Sequence, residues 1–317
     1  MTTGGATAVL DRNGLNALVA ELNADGRTVV GPTVRDGAIV LAELDSADQL
    51  PYGWGVELEA GHYRLRRRED GAAFAHSAGP QSWKNFLHPQ REKLWSADRA
   101  PDGTVAISTE TADRPSYAFL GVRPCDLRAI AIQDQVLTGG HFRDSGYEER
   151  RRGAFLIAAE CTEPGATCFC VSMGGGPGAD AGFDLALTEV VDQAGQRFFV
   201  RVGSEAGAEL LAKLPHREAD ATTRGAAVAA VSDAVDKMGR AMPPVSLQQL
   251  MGSSLDAERR QRWDSCFDLD FSYVHGGPVC SSGRSRCIVW CPVGIDITEE
   301  VTALQAEAGA RNEEAER

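Results

Sequence analysis

Tyr117-Ala118-Phe119-Leu120-Gly121-Val122, then Arg123-Pro124-Cys125-Asp126, then Leu127 to Leu137: this stretch decides the fold. Its first segment is an apolar run of strand length, and Leu127 to Leu137 carries apolar residues at helical spacing. A second apolar run, Ala154 to Ala159, predicts another strand. Strand, helix and strand in that order make a β-α-β unit, with parallel strands and a right-handed crossover. The Gly-x-Gly-x-x-Gly fingerprint is absent from the start of this unit, which counts against a Rossmann dinucleotide site.

Working outward, Asp11 to Asn23 reads as an amphipathic helix with Leu15, Leu18, Val19 and Leu22 on one face, ended by Asp25-Gly26. Val29 to Val34 and Ala38 to Leu44 flank the turn Arg35-Asp36-Gly37 and predict a hairpin, and Gly61 to Arg68 predicts a further strand. Ser82 to Trp95 reads as a helix or an ordered loop. Phe183 to Val190 and Arg197 to Val202 are strand candidates, and the alanine-rich Ala206 to Leu214 and Gly225 to Met238 are helix candidates. From Pro243 the composition changes: Leu247 to Trp263 predicts a helix, and Glu299 to Arg317 a charged one. The expectation is an α/β domain with a mixed sheet over residues 1–242 and a small helical, cysteine-bearing region over residues 243–317.

The net charge of −13 disfavours nucleic acid and anionic membrane as partners. No apolar run is long enough to cross a bilayer, and Met1-Thr2-Thr3-Gly4-Gly5 lacks the features of a signal peptide, so a cytoplasmic location is expected. In that compartment eight cysteines point to metal or redox work rather than disulfides. None precedes residue 125, and they fall into two groups.

In the first group, Cys125 follows one parallel strand and Cys161 the next, so both belong to the same carboxyl edge, where open α/β sheets place ligands. Cys168 and Cys170 follow in the loop Thr162 to Met173. Four thiolates suit a 4Fe-4S cluster and also structural zinc, although C-x-C is not a zinc-knuckle spacing. Cys125 alone would be a small hydrophobe at the end of a core strand; the set of four, with a C-x-C pair in a Gly-rich loop, has no packing rationale. Gly174-Gly175-Gly176-Pro177-Gly178 offers backbone N–H groups to an anion, or is only flexible. Arg123, beside Cys125, would stabilise thiolate charge and raise a cluster's potential. Lys84, His88 and Arg91 read as solvated charges, and His275 as a turn residue. No Ser/His/Asp or paired-carboxylate arrangement is legible.

The second group is Cys266, Cys280, Cys287 and Cys291. Cys287 to Pro292 is the second half of the ferredoxin run C-x2-C-x2-C-x3-C-P, but the two preceding ligand positions hold Arg284 and Ser281. Two readings stand: a remnant without a cluster, or a rearranged second cluster that uses Cys266 and Cys280.

Five separated segments carry a resemblance across nearly the whole chain: Lys84 to Pro89, Gly121 to Leu127, Thr167 to Cys170, Trp263 to Phe267 and Cys291 to Ile297. In this order they resemble the iron-sulfur β subunit of cytosolic nickel-iron sulfhydrogenases, a group that includes an iron-sulfur component of anaerobic sulfite reductase. The chain departs from that family in having no cysteine between Leu247 and Arg262 and a shortened segment from Pro278 to Arg286. The resemblance implies a non-catalytic electron-transfer subunit. It would relay electrons between a flavoprotein subunit handling NAD(P)H and a hydrogenase-like catalytic subunit, with Cys125, Cys161, Cys168 and Cys170 as ligands of a 4Fe-4S cluster. The competing readings are a scaffold subunit with zinc or no metal, and a reductase subunit that binds flavin or nucleotide near Gly174 to Gly178.

Overall fold

The computed structural model describes residues 6–77, 79–93, 95–109, 115–242, 286–290, 296–299, 301–303 and 305–306. The strands are β1 (Thr7–Leu10), β2 (Thr28–Arg35), β3 (Ala38–Glu43), β4 (Trp54–Glu59), β5 (His62–Arg67), β6 (Trp95–Arg99), β7 (Val105–Thr109), β8 (Tyr117–Val122), β9 (Phe155–Ala159), β10 (Leu185–Asp192), β11 (Gly195–Val202) and β12 (Arg217–Glu218). The helices are α1 (Arg12–Ala24), α2 (Lys84–Leu87), α3 (Pro124–Thr138), α4 (Ser145–Gly153), α5 (Glu205–Lys213), α6 (Ala221–Asp236) and α7 (Arg286–Val289).

A mixed sheet runs in the order β12-β1-β11-β10-β9-β8-β2-β3. Its centre, β2-β8-β9-β10, is parallel, and antiparallel strands extend it on both sides. The predicted β-α-β unit is present as β8-α3-β9, with α4 added to the crossover. Parallel strands covered on both faces read as unbroken apolar runs rather than alternating ones, and β9 is buried at every position.

The pleat divides the core in two. Ala118, Leu120, Phe155 and Ile157 face a layer that includes Leu15, Leu18 and Leu22 of α1 and Leu210 and Leu211 of α5. Phe119, Leu156 and Ala158 face Leu127 and Ile130 of α3 and Tyr147 of α4. Helix α1 begins where the Asp11 side chain accepts from Gly14 N at 2.8 Å, and its buried residues include the predicted apolar stripe. The predicted β2–β3 turn is built on Asp36 and Gly37, with φ of 49° and 75°.

One irregularity shapes the site. The pairing of β8 with β9 shifts between Leu120 and Val122, at Gly121. Gly121 has φ of 92°, and a side chain there would lie 3.1 Å from both Phe74 and Pro32. A bulge turns the strand end and re-aims the residues beyond it, here Arg123 and Cys125.

The described part of the C-terminal region packs against this domain. Gly61 N donates to Ile288 O of α7 at 3.0 Å, and Tyr63 meets Trp290 with ring centroids 5.0 Å apart. Further on, Asp296 is buried and pairs with Arg240 at 2.8 Å. Helical residues follow at 297–299, 301–303 and 305–306. The expected helix Leu247 to Trp263 lies outside the described residues. Among the described residues no helix is long and apolar enough to cross a membrane.

Candidate functional site

The first cysteine group sits at the carboxyl edge of β8 and β9. Cys125 is on the first turn of α3, after Pro124, whose missing N–H costs nothing at that position. The positive end of the α3 dipole therefore faces this edge. Cys161 comes two residues after β9, and its N–H donates to Pro177 O at 2.9 Å. Between them lies Glu160, buried, with its carboxylate bound to Arg201 at 2.6 Å, to Ala179 N at 3.1 Å and to the Thr188 hydroxyl. Arg201 also donates to Ala179 O at 2.6 Å, so one half-buried ion pair pins both the departure and the return of the cysteine loop.

Within the loop, Thr167 and Phe169 are fully buried and anchor it, and the cysteines alternate with them. Cys168 N donates to Gly165 O at 2.9 Å, and Gly165 N reaches back to Cys168 Sγ at 3.3 Å. Gly165 has no room for a side chain: one would lie 2.5 Å from Leu58 and 2.7 Å from the Ser77 hydroxyl. Cys170 O accepts from Met173 N at 3.2 Å and Gly175 N at 3.0 Å, which closes the Gly174-Gly175 turn beneath it. The outer flank is held by Arg240, whose N–H donates to Cys168 O at 3.1 Å.

The thiols sense one another. Burial pushes the Cys161 thiol up to about 11, with the Arg123 guanidinium opposing and Cys168 adding to the rise. Burial pushes Cys170 up further, and charge on Cys125, Cys168 and Cys161 raises it again. The other three predicted ligands are thus within electrostatic reach of Cys170, and none of the four is in a disulfide. Among the described residues, no three His, Cys, Asp or Glu side chains are grouped tightly enough to hold a single metal ion.

Two guanidinium groups lie at this edge. Arg123 is buried and donates to Glu160 O at 3.3 Å, His76 O at 2.6 Å and Phe74 O. Its hydrogen-bond acceptors are carbonyls, and its charge also reaches the buried Glu189 carboxylate, where it opposes the rise that burial causes. Arg128, one helical turn after Cys125, has no ion pair among the described residues, and its Nη1 is buried without an acceptor. The Thr167 hydroxyl is also buried with no partner. Arg123 is legible in the sequence as a cation beside a cysteine. Arg128 and Thr167 are not, because an unspent donor shows only once the neighbours are in place.

No family model, curated protein or solved structure matches this chain. The site therefore has to be read from its own chemistry.

The other predicted residues are less gathered. Cys287 lies on α7, while Cys266, Cys280, Cys291 and His275 lie outside the described residues. His88 Nε2 is 3.3 Å from Asp144, and Lys84 is on the short helix α2.

The raised Cys161 thiol makes a prediction for the metal-free protein. A thiol is reactive only as thiolate, and that fraction falls tenfold per pH unit below its pKa. At pH 8 about one Cys161 in a thousand is ionised, against about a quarter of free cysteines. Alkylation of Cys161 by iodoacetamide, followed by peptide mass spectrometry, should run at least ~100-fold slower than in the urea-unfolded chain and climb until about pH 11. Equal rates in folded and unfolded protein would show that the thiol is not enclosed.

Proposed function

We propose that this chain is an electron-transfer subunit that holds one 4Fe-4S cluster on Cys125, Cys161, Cys168 and Cys170. The observation that carries this reading is the Cys170 thiol within electrostatic reach of Cys125, Cys161 and Cys168, at a sheet edge where Arg128 Nη1 is buried without an acceptor. Buried cations need an anionic counterpart. Four thiolates carrying an iron-sulfur core are net negative, and the unspent N–H and O–H donors of Arg128 and Thr167 suit sulfur acceptors.

Zinc fits less well. With Zn–S bonds near 2.3 Å, four sulfurs around one zinc stand about 3.8 Å apart, and such a grouping is not found among the described residues. A cubane spreads its ligand sulfurs to about 6 to 7 Å, a wider spacing than one zinc allows.

When bound, such a cluster supplies a one-electron carrier. The chain's own residues ligate it, keep water from it and set its potential through burial and hydrogen bonds to sulfur. The motif resemblance extends the proposal to the setting: a cytoplasmic complex in which the chain relays electrons between a subunit handling flavin or NAD(P)H and a hydrogenase-like catalytic subunit.

The test is iron and acid-labile sulfide analysis of the full chain purified without oxygen. About four of each per chain is the expected result. About eight would mean that the second cysteine group also holds a cluster, and stoichiometric zinc, or no metal, would reject the relay.

A further inference from the structure

The chain that leaves α6 lies along the cysteine loop, and its contacts keep step with it. Lys237 Nζ reaches Glu163 at 3.2 Å and Thr162 O at 3.5 Å. Gly239 then rests against Ala166, Arg240 N donates to Cys168 O at 3.1 Å, and Met242 N donates to the Ser172 hydroxyl at 2.7 Å. Residues 237–242 thus run beside residues 162–172 in the same direction, tied at points that bracket Cys168 and Cys170. The approach is closest at Gly239. A side chain there would overlap the Ala166 carbonyl and lie 2.6 Å from Ala166 Cα, so the two backbones can touch only with glycine at this position.

Most of these ties are weak by themselves. The Lys237 and Glu163 side chains are largely exposed, and a pair of that kind contributes little. Arg240 differs in having a partner from far along the chain. Its Nε donates to Asp296 Oδ2 at 2.8 Å, while Asp296 Oδ1 accepts from Thr298 N at 3.0 Å and from the Thr298 hydroxyl at 2.6 Å. Asp296 is buried, and a buried carboxylate calls for a cation. Among the described residues the cation paired with it is Arg240.

We propose that residues 237–242 are a strap across the cysteine loop and that Asp296 is its latch, so that the C-terminal region controls how firmly the segment carrying Cys168 and Cys170 is held. With Asp296 seated, Arg240 is fixed from both sides, by its side chain and by its backbone. When the C-terminal region moves and takes Asp296 with it, the ties that remain are exposed ones, of the kind that opens locally at low cost. No thiol takes part in these contacts, so the latch stands or falls independently of the proposed cluster.

The experiment follows hydrogen–deuterium exchange by peptide mass spectrometry, together with melting, in the full chain stripped of iron and kept reduced. It compares wild type, Asp296→Asn and Gly239→Ala. Asparagine caps a helix as well as aspartate does but brings no charge to Arg240. Alanine at residue 239 pushes the strap off the loop without touching Asp296. In both variants, amides of residues 162–173 and 237–242 should exchange at least ~5-fold faster, because exchange follows the population of the locally open form. Peptides from β8 and β9 should exchange as in wild type.

Unchanged loop exchange in both variants would overturn the proposal. So would a change in one variant alone: with Gly239→Ala alone the strap has another latch, and with Asp296→Asn alone Asp296 acts on the loop by another route. Faster exchange throughout the sheet with lowered melting would make these residues general stabilisers and overturn it too. If one variant does not fold, Arg240→Gln, which breaks the same pair from the other side, takes its place.

Discussion

Cys170→Ala, purified without oxygen, should retain less than about one iron per chain, against the roughly four that the proposed cluster would give wild type. Cys170 is the one of the four cysteines that is buried as a whole residue, and the one whose ionisation the other three all oppose. Charge that accumulates at one point is tolerated only when cations bind it. Without the Cys170 ligand, the remaining three thiolates would leave one iron of a cubane open to water. Cys287→Ala provides the contrast, since the half motif it belongs to lacks its upstream ligands; its iron content should equal wild type. A Cys170→Ala protein with full iron would move the cluster elsewhere in the chain. Loss of iron from Cys287→Ala with Cys170→Ala unaffected would exchange the roles of the two cysteine groups.

Arg123→Met should destabilise the iron-free protein by about 3 to 5 kcal/mol, the range for breaking a buried, hydrogen-bonded charge site. The methionine fills much the same volume, so the loss comes from hydrogen bonds. The guanidinium joins two separate parts of the chain: the end of β9, through Glu160 O, and the segment before α2, through Phe74 O and His76 O. Removing it leaves these carbonyls without that donor, at about 1 to 3 kcal/mol for each one that stays buried and unpaired. Arg123→Lys should recover little, because a single ammonium cannot span both sides of the fork. Urea unfolding at equilibrium, with m unchanged, gives the measurement. A loss under about 1 kcal/mol would mean that water or a shifted loop replaces those bonds. The same variant should also load iron poorly, since Arg123 favours the ionised form of Cys161.

The central layer is legible in the sequence because its strands are buried along most of their length. Tyr117 to Val122 and Ala154 to Ala159 could hardly be anything but core, and the Asp11 helix declares itself through its cap and its apolar stripe. Structure with little burial escapes such reading. Helix α4, Ser-Gly-Tyr-Glu-Glu-Arg-Arg-Arg-Gly, shows almost no apolar pattern; Tyr147 holds it, fully buried with its hydroxyl 2.6 Å from Asp134. The β6–β7 hairpin begins at Trp95, where the sequence suggests the end of a helix or loop, because Trp95, Val105 and Ile107 are exposed and leave no alternation of buried and polar positions. Strand β4 is hidden although its partner β5 is expected, since Trp54 to Glu59 mixes glycine and glutamate among the apolar residues.

The site divides along the same line. That parallel strands deliver Cys125 and Cys161 to one edge follows from topology alone. That Arg128 and Thr167 have donors to spare follows from the absence of neighbours, and a linear sequence carries no record of the partners a folded side chain fails to meet.

The tie between the cysteine loop and the C-terminal region has a consequence for the order of synthesis. Cys168 O is bound by the N–H of Arg240, and the Arg240 side chain is bound by Asp296, 56 residues further along. A chain emerging from the ribosome can complete the sheet well before Asp296 exists, because the strands of the sheet are all made by Glu218. During that interval the loop has its cysteines in place but lacks its outer fastening. If the proposed cluster is bound, iron and sulfide would have a window for delivery before Asp296 is made, with a late segment of the chain fastening a site assembled before it.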